Sequence, residues 1–280
     1  MRLPIFYNTE RVKYMPETYT TNSVIQTDGT KRQHIIAIMS SKGGVGKSLV
    51  TSLLAISLQR QGLRVGILDG DLTCPGIADM FSPKGQLSLT SSGSIEPMVS
   101  KNGIKIMSMA MFSEDESDPL VWRGPMVSSA FKQFYSEVDW GELDYLLVDV
   151  PSGTSDVPMT VLQFLPLDGV LIVSSPQKNV MKVVKKCITM VHQFKVAIIG
   201  VVENMVFYVD SCNERSESFG LSSSAELAAT AEAPLLAQLP FDPKLSAMCD
   251  SGQIEEYRVK ALDTLAANFL HALEMKHQLA

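Results

Sequence analysis

Long apolar runs, an excess of positive charge and paired cysteines are all missing from this 280-residue chain. No apolar run approaches the roughly 18–20 residues that a membrane-spanning helix needs. The net charge of −6 provides no general attraction to nucleic acid or to anionic lipid, because both bind basic surfaces. We therefore expect neither nucleic acid nor membrane as a partner. The opening residues mix charges into apolar positions and lack the apolar region of a signal peptide, so a cytoplasmic protein is expected.

Cysteine and histidine are both sparse, and neither shows the spacing of a metal site. The four cysteines have no C-x-x-C pair among them: Cys74, Cys187, Cys212 and Cys249. The four histidines share no ligand spacing: His34, His192, His271 and His277. This pattern predicts neither a disulfide framework nor a zinc ribbon.

What the chain does contain is a series of short, continuous apolar runs. They lie at 34–39, 64–69, 104–109, 145–150, 169–175 and 196–202. Continuous rather than alternating apolar residues are typical of strands that are covered on both faces. Segments of helix length separate most of these runs, which predicts a mostly parallel sheet with helices on both faces. The predicted fold class is therefore α/β, with a hydrophobic content of 45% available for one large core.

Two segments interrupt the alternation of strands and helices. Residues 1–33 show no clear period, and we expect them to form an N-terminal arm. Residues 84–103 are rich in Ser and Gly and are expected to form a hairpin or loop insertion. The sequence therefore predicts one domain at 34–280 that carries this insertion.

The strongest chemical signal is the stretch SSKGGVGKS, residues 40–48, between the first predicted strand and a predicted helix. Gly43, Gly44 and Gly46 allow the chain to curl so that several backbone N–H groups converge on one anion. The helix that follows adds the partial positive charge of its N-terminus. The stretch therefore has the pattern of a phosphate-binding loop in a P-loop NTPase.

Side chains of the same stretch complete the predicted nucleotide site. In this pattern Lys47 reaches the β- and γ-phosphates of ATP, and the Ser48 hydroxyl binds Mg²⁺. Val45 and Leu49 complete the predicted contacts of the loop with the nucleotide. The plain alternative is a glycine-rich turn that Ser48 caps.

Three aspartates follow predicted strands. Asp69 and Asp71 come at the end of the second strand, and Asp149 ends the run YLLVD. Ligands of open α/β sheets bind at the carboxyl ends of the strands, where a carboxylate can also orient an attacking water. Asp149, after four apolar residues, has the Walker B arrangement that holds Mg²⁺ directly or through water. Asp69 either supports the Mg²⁺ shell or only caps the following turn.

Longer blocks of sequence resemble one family. The pattern of the Mrp/ApbC-type iron–sulfur carrier ATPases is followed by RGPM (123–126), WGELDYL (140–146), DVPSGTSD (149–156), ENM (203–205) and LPFDP (239–243). The loop itself, K-G-G-x-G-K-S, resembles the deviant Walker A motif of the MinD, Mrp and nitrogenase-iron-protein class. The resemblance extends from about residue 34 to 255.

The resemblance implies a homodimeric switch that encloses two ATP molecules, hydrolyses them slowly and acts in iron–sulfur cluster assembly or transfer. Iron–sulfur donor or acceptor proteins are then expected partners. Lys42 would reach across the dimer interface to the partner subunit's nucleotide, with an ordinary solvated lysine as the alternative. Asp71 would orient the attacking water. Asn204 would recognise the adenine, with Pro240 and Asp242 lining the base pocket.

One departure from the family pattern concerns the cluster loop. Family members carry C-P-x-C shortly after ENM, and two such pairs from a dimer hold a bridging [4Fe–4S] cluster. Here the two cysteine positions are Asp210 and Asn213, with Cys212 between them. Two subunits would offer two thiolates from this loop, against the four usual for such a cluster. Cys212 is therefore predicted either to bind iron or another metal with help from Asp210, or to be a free thiol.

Two other functions stay open at this stage. A MinD-type regulatory or partitioning ATPase without a cluster fits the missing C-P-x-C, although the RGPM and WGELDYL blocks oppose it. The second open function is a scaffold that binds nucleotide without turnover. In that case Asp71→Ala leaves phosphate release unchanged.

Overall fold

The computed structural model describes residues 33–71, 76–83, 88–91, 93–108, 124–154, 156–209, 214–217 and 219–279. Its strands are β1 (His34–Met39), β2 (Val65–Asp69), β3 (Ser88–Leu89), β4 (Ile95–Glu96), β5 (Met98–Val99), β6 (Lys105–Met107), β7 (Tyr145–Asp149), β8 (Gly169–Ser174), β9 (Ile198–Glu203), β10 (Tyr208–Val209), β11 (Arg215–Ser216) and β12 (Leu235–Gln238). Its α-helices are α1 (Lys47–Gln59), α2 (Ile77–Phe81), α3 (Gly124–Glu137), α4 (Asp156–Phe164), α5 (Lys178–Gln193), α6 (Ser224–Ala231), α7 (Pro243–Asp250) and α8 (Lys260–Leu279), and a 3₁₀ turn lies at Ile254–Glu256.

Eight strands form one central sheet in the order β12-β9-β8-β1-β7-β2-β6-β5. Neighbouring strands are parallel throughout, except that β5 is antiparallel to β6. Each of the six predicted apolar runs contributes one strand to this sheet. The predicted α/β fold with a mostly parallel sheet is confirmed.

The central strands are apolar on both faces because helices cover both. Every residue of β2, β7, β8 and β9 is buried. Helices α1 and α8 contact each other, and α1 also packs against β2 and β7, while α5 and α6 contact each other and pack against β8 and β9. This double cover explains why the strands are continuous apolar runs rather than alternating ones.

The parallel register brings the carboxyl ends of three strands together. Asp149 at the end of β7 is the register partner of Asp69 on β2 and of Ile38 on β1. The chain leaves β1 at this same edge and enters the loop before α1. The fold therefore places the predicted phosphate loop and two of the predicted carboxylates side by side.

The predicted insertion adds short antiparallel pieces. Strand β3 pairs with β4, and β5 extends the edge of the central sheet. Residues 84–87 and 92 of the insertion, and residues 1–32 of the predicted arm, lie outside the described residues, so the predicted domain boundaries stay a prediction. Within the described part of the chain, no helix has both the length and the apolar character needed to cross a membrane.

Candidate nucleotide site

The loop between β1 and α1 depends on glycine at two positions. Gly44 and Gly46 both have φ of 81°, in the left-handed region that side chains with a Cβ rarely adopt. Gly46 comes directly before α1, and its carbonyl accepts the first helical hydrogen bond, from Val50 N at 2.9 Å. A Cβ at Gly46 would lie 2.2 Å from Asn204 Nδ2, so the position also needs glycine for space.

Asn204 supports the loop through a side-chain hydrogen bond. It follows β9, is 2% exposed, and its Nδ2 donates to the carbonyl of Val45 at 3.0 Å. Its own backbone N–H donates to Ser174 O at 2.8 Å, which anchors it to the end of β8. The structure thus assigns Asn204 a role in supporting the loop that sequence reasoning missed, while its predicted contact with adenine stays a prediction.

The start of α1 directs two side chains at one carboxylate. Lys47 Nζ lies 2.5 Å from Asp149 Oδ2, and Ser48 Oγ donates to the same oxygen at 2.6 Å. Lys47 is 7% exposed and Asp149 is fully buried. Because the ammonium and the carboxylate compensate each other, the protein can keep both charges in its interior.

Thr51 also contacts the carboxylate of Asp149, and sequence reasoning missed this residue. It lies one helical turn after Lys47, is fully buried, and its hydroxyl is 2.7 Å from Asp149 Oδ1. The same hydroxyl is 3.1 Å from the carbonyl of Lys47. The sequence could have indicated this contact, because Lys47 and Thr51 are four residues apart and therefore share a face of the helix. Asp149 therefore has a hydrogen-bond donor on each oxygen.

Asp69 occupies the neighbouring strand end and is held in place by three donors. Its Oδ1 accepts from Asp71 N at 3.1 Å, and its Oδ2 accepts from Ser108 Oγ at 3.0 Å and from Ile77 N at 3.4 Å. Burial, followed by the charge of Asp149, raises the pKa of Asp69 to about 7. The bonds from Asp71 N and Ile77 N also give Asp69 a structural role, while its predicted support of the Mg²⁺ shell stays a prediction.

Lys42, within the loop, and the segment after β7 make two further contacts at the site. Lys42 is exposed, and its Nζ donates to Gln177 Oε1 of the same chain at 3.1 Å. The segment after β7 also contacts the loop, because Gly153 N donates to Ser40 O at 3.0 Å. A Cβ at Gly43 would lie 3.5 Å from Ser152 Oγ, so the two segments are close neighbours. The segment that contains Ser152 and Gly153 is therefore placed to respond to what the loop binds.

The model of the protein family described as "ParA: NUBPL iron-transfer P-loop NTPase" matches residues 31–274. The chain belongs to this family. The match covers most of the chain, including the loop, all eight strands of the central sheet and the three predicted aspartates.

Relatives of this chain carry consistent names. An iron–sulfur cluster carrier protein of Clostridium perfringens is 40% identical over 232 residues, which are 80% of this chain and 82% of the relative. The cytosolic Fe-S cluster assembly factor NUBP2 of Rattus norvegicus is 38% identical over 254 residues, 86% of this chain and 93% of the relative. A solved nucleotide-binding protein of Archaeoglobus fulgidus, in complex with ADP, is 39% identical with a TM-score of 0.72 and covers 82% of this chain and 90% of its own. The resemblance to iron–sulfur carrier ATPases is confirmed.

The residues at the start of α1 and at the end of β7 fit the predicted Mg²⁺ ion. Mg²⁺ prefers hard oxygen ligands and is usually held by one or two protein groups together with phosphate oxygens and water. The Ser48 hydroxyl and the Asp149 carboxylate offer such oxygens 2.6 Å apart, at the start of the helix that follows the glycine loop. Asp69 is the register neighbour of Asp149 and adds a third oxygen group.

Asp242, one of the residues of the predicted base pocket, has a structural role. Asp242 caps α7, because its Oδ1 accepts from Lys244 N at 2.8 Å, and its Oδ2 accepts from Tyr257 OH at 2.8 Å. Pro240, two residues earlier, is half-buried. Their predicted contact with the nucleotide base stays a prediction.

The two cysteines of the described residues carry thiols with raised pKa values. Cys187 is fully buried, and burial raises the pKa of its thiol to about 12. Burial, with the nearby charge of Asp250, also raises the pKa of Cys249. Both are therefore thiols near neutral pH, whereas metals bind the thiolate. The predicted ligand Cys212, with Asp210 and Asn213, lies outside the described residues.

We expect Thr51→Val to destabilise the protein by about 1–3 kcal/mol, because it removes a hydrogen bond to the buried carboxylate of Asp149. Valine has nearly the same shape as threonine, so loss of packing contributes little. Urea unfolding followed by circular dichroism measures the change. Thr51→Ser, which keeps the hydroxyl, is the control and should lose less. Equal stability of Thr51→Val and the wild type would mean that this hydrogen bond does not stabilise the fold.

Proposed function

We propose that this protein is a Mg-ATP-dependent homodimeric switch that hydrolyses ATP slowly and handles iron–sulfur clusters during their assembly or transfer. One observation carries the nucleotide part. Directly behind the glycine loop, Lys47 Nζ and Ser48 Oγ lie 2.5 Å and 2.6 Å from the same oxygen of Asp149. An ammonium, a hydroxyl and a carboxylate in this arrangement are what the phosphates and the metal ion of Mg-ATP require.

The proposed cycle uses each residue for a separate task. The loop amides and Lys47 would hold the phosphates, and Ser48 and Asp149 would hold Mg²⁺, which neutralises charge on the phosphates when bound. Asp71 would orient the attacking water. Lys42, which is exposed on its own subunit, would leave Gln177 and stabilise the transition state in the partner subunit's site.

The iron–sulfur part rests on the names of the relatives and on one cysteine. Relatives that are 40% and 38% identical are called an iron–sulfur cluster carrier protein and a cytosolic Fe-S cluster assembly factor. Cys212 would supply one thiolate per subunit, so a dimer would hold its cargo with two thiolates and with help from Asp210 of each subunit. We propose a cytoplasmic site of action, as the name of the rat relative states for that protein.

Anaerobic reconstitution with iron and sulfide tests the cargo part. We expect the wild type to retain iron and sulfide after desalting and Cys212→Ala to lose them, because the two proposed thiolates of the dimer are removed. Cys249→Ala is the matched control and should retain them, since Cys249 lies in α7 and not in the proposed cluster loop. Iron content and visible absorbance are the measurements, and ATP hydrolysis should be the same in all three proteins.

Equal iron content in the wild type and Cys212→Ala would remove the carrier function. The alternative would then be a MinD-type regulatory ATPase, which the missing C-P-x-C pair favours. Pelleting with lipid vesicles in ATP but not in ADP would support that alternative.

A further inference from the structure

A second group of polar residues lies at the edge of the sheet opposite the nucleotide site. His34 is the first residue of β1, Asp168 comes directly before β8, and His277 lies in the last turn of α8. Strands β1 and β8 are parallel neighbours, so His34 and Asp168 both lie at their amino ends. At about 3.3 Å per residue, the length of β1 separates this group from the phosphate loop by roughly 20 Å. The group therefore takes no part in nucleotide binding.

Three candidate metal-ligand atoms converge in this group. His34 Nδ1 lies 3.3 Å from Asp168 Oδ1, and His277 Nε2 lies 3.8 Å from the same oxygen. All three atoms are within 4.8 Å of one another. Ligands of a tetrahedral ion with bonds of about 2.0–2.2 Å are separated by about 3.3–3.5 Å. Shifts of about 1 Å or less would therefore close the group around one ion.

The carboxylate is held so that one oxygen faces both imidazoles. Asp168 has a side chain only 1% exposed, and its Oδ2 accepts from Ile35 N at 2.9 Å. Its backbone N–H donates to Ile35 O at 2.9 Å, which fixes the residue to β1 from a second side. A hydrogen bond to one oxygen of a ligating carboxylate is the usual outer support of a metal site. Oδ1 is the oxygen that lies near His34 Nδ1 and His277 Nε2.

The first histidine is also fixed in position. The His34 ring stacks on Tyr145, its register neighbour on β7, with centroids 5.4 Å apart and planes inclined by 26°. His34 Nδ1 is buried and makes no hydrogen bond in spite of its short distance to Asp168. Buried polar atoms are rarely left in this state, and an ion bound to Nδ1 would satisfy it. The His277 ring is 5.3 Å from the His34 ring and 42% exposed, so the group is open to solvent on that side.

We propose that His34 Nδ1, Asp168 Oδ1 and His277 Nε2 form a binding site for a divalent transition-metal ion of the Zn²⁺ or Co²⁺ type. Two imidazoles and one carboxylate suit these ions, whereas Mg²⁺ and Ca²⁺ prefer sites made of oxygen alone. Three protein ligands leave further coordination positions to water. The ion would tie the last turn of α8 to the amino ends of β1 and β8.

Cobalt titration of the full-length protein, with saturating Mg²⁺ and ADP to occupy the nucleotide site, tests this proposal. We expect the wild type to bind one Co²⁺ per chain whose spectrum lacks thiolate charge-transfer bands, and Zn²⁺ to displace it. Loss of a residue that only supports a ligand usually weakens metal binding by about 10- to 100-fold. His277→Ala removes a ligand itself, so it should weaken Co²⁺ binding by at least this factor. His271→Ala, an exposed histidine six residues earlier on the same helix, is the matched control and should bind like the wild type.

Thermal unfolding provides a second readout for the same three proteins. Zn²⁺ should raise the Tm of the wild type and of His271→Ala, and it should leave that of His277→Ala nearly unchanged. His277 is exposed at the end of a helix, so its removal does not endanger the fold, whereas Asp168 is buried. Equal Co²⁺ binding by His277→Ala and His271→Ala would overturn the proposal. So would a wild type in which all bound Co²⁺ shows thiolate charge-transfer bands, or which binds no Co²⁺. None of these results overturns the proposed roles of ATP and Cys212.

Discussion

Gly46→Ala is expected to weaken ADP binding by roughly 100-fold or more, which corresponds to about 2.8 kcal/mol. The residue has φ of 81°, and an added Cβ would lie 2.2 Å from Asn204 Nδ2. Asn204 cannot yield without losing its hydrogen bond to Val45 O, and it is buried with its backbone bound to β8. The loop must therefore move instead. The amides that would surround the phosphates move with it, and isothermal calorimetry with Mg-ADP measures the loss.

Gly62→Ala is the matched control for this prediction. Gly62 follows the other end of α1 and has φ of 84°, but a Cβ there would meet nothing within 4 Å. Both variants should lose about 1–2 kcal/mol of stability from the left-handed backbone, and Gly46→Ala should lose more because of the contact with Asn204. Similar ADP affinities of the two variants would show that the space at Gly46 does not control nucleotide binding.

Lys42→Ala is expected to reduce the rate of ATP hydrolysis by about 10²–10³-fold, the usual effect of removing one group that stabilises a transition state. ADP affinity and stability should change little, because Lys42 is exposed and its contact with Gln177 is a surface one. Phosphate release at saturating ATP is the measurement. Lys101→Ala, another exposed lysine with a surface partner, Glu256, is the control and should hydrolyse ATP at the wild-type rate.

Mixed dimers distinguish action across the interface from action within one subunit. Lys42→Ala and Asp71→Ala are each expected to hydrolyse ATP much more slowly than the wild type when alone. If Lys42 acts in the partner subunit's site, a dimer of one variant with the other contains one site with both groups intact, and mixing restores part of the activity. No recovery on mixing, with dimers demonstrated by light scattering, would contradict that role. A rate for Asp71→Ala equal to that of the wild type would favour the scaffold without turnover.

Secondary structure could be predicted where the chain obeys one strong constraint. Strands such as 145–149 and 169–174 are covered on both faces, so every residue is apolar until the carboxyl end, and the pattern is plain in the sequence. Strand β12, Leu235–Gln238, was missed because it has only four residues and lies at the sheet edge. Strand β5 lies in the segment predicted as a hairpin or loop insertion, but its pairing with β6 was not predicted, since two residues of an edge strand carry no readable period.

Within the site, local pattern predicted the loop but not its supports. Lys47, Ser48 and the glycines are contiguous, so their chemistry is encoded by spacing alone. The contact between Asn204 and Val45 joins residues 159 positions apart, and the bond from Thr51 to Asp149 joins residues 98 apart. Such contacts depend on which strands are neighbours in the sheet. No single segment contains that information.

The sequence by itself determined the α/β fold, the phosphate loop and the family, because each is written in short stretches whose backbone and side-chain chemistry is local. Only the tertiary structure decided what lies against the loop and that His34, Asp168 and His277 meet. Those three residues share no spacing, and they come together because β1 and β8 are parallel neighbours whose amino ends lie beside the last turn of α8. The physical reason is that strand order, which the pairing of the whole sheet sets, determines which distant residues share an edge.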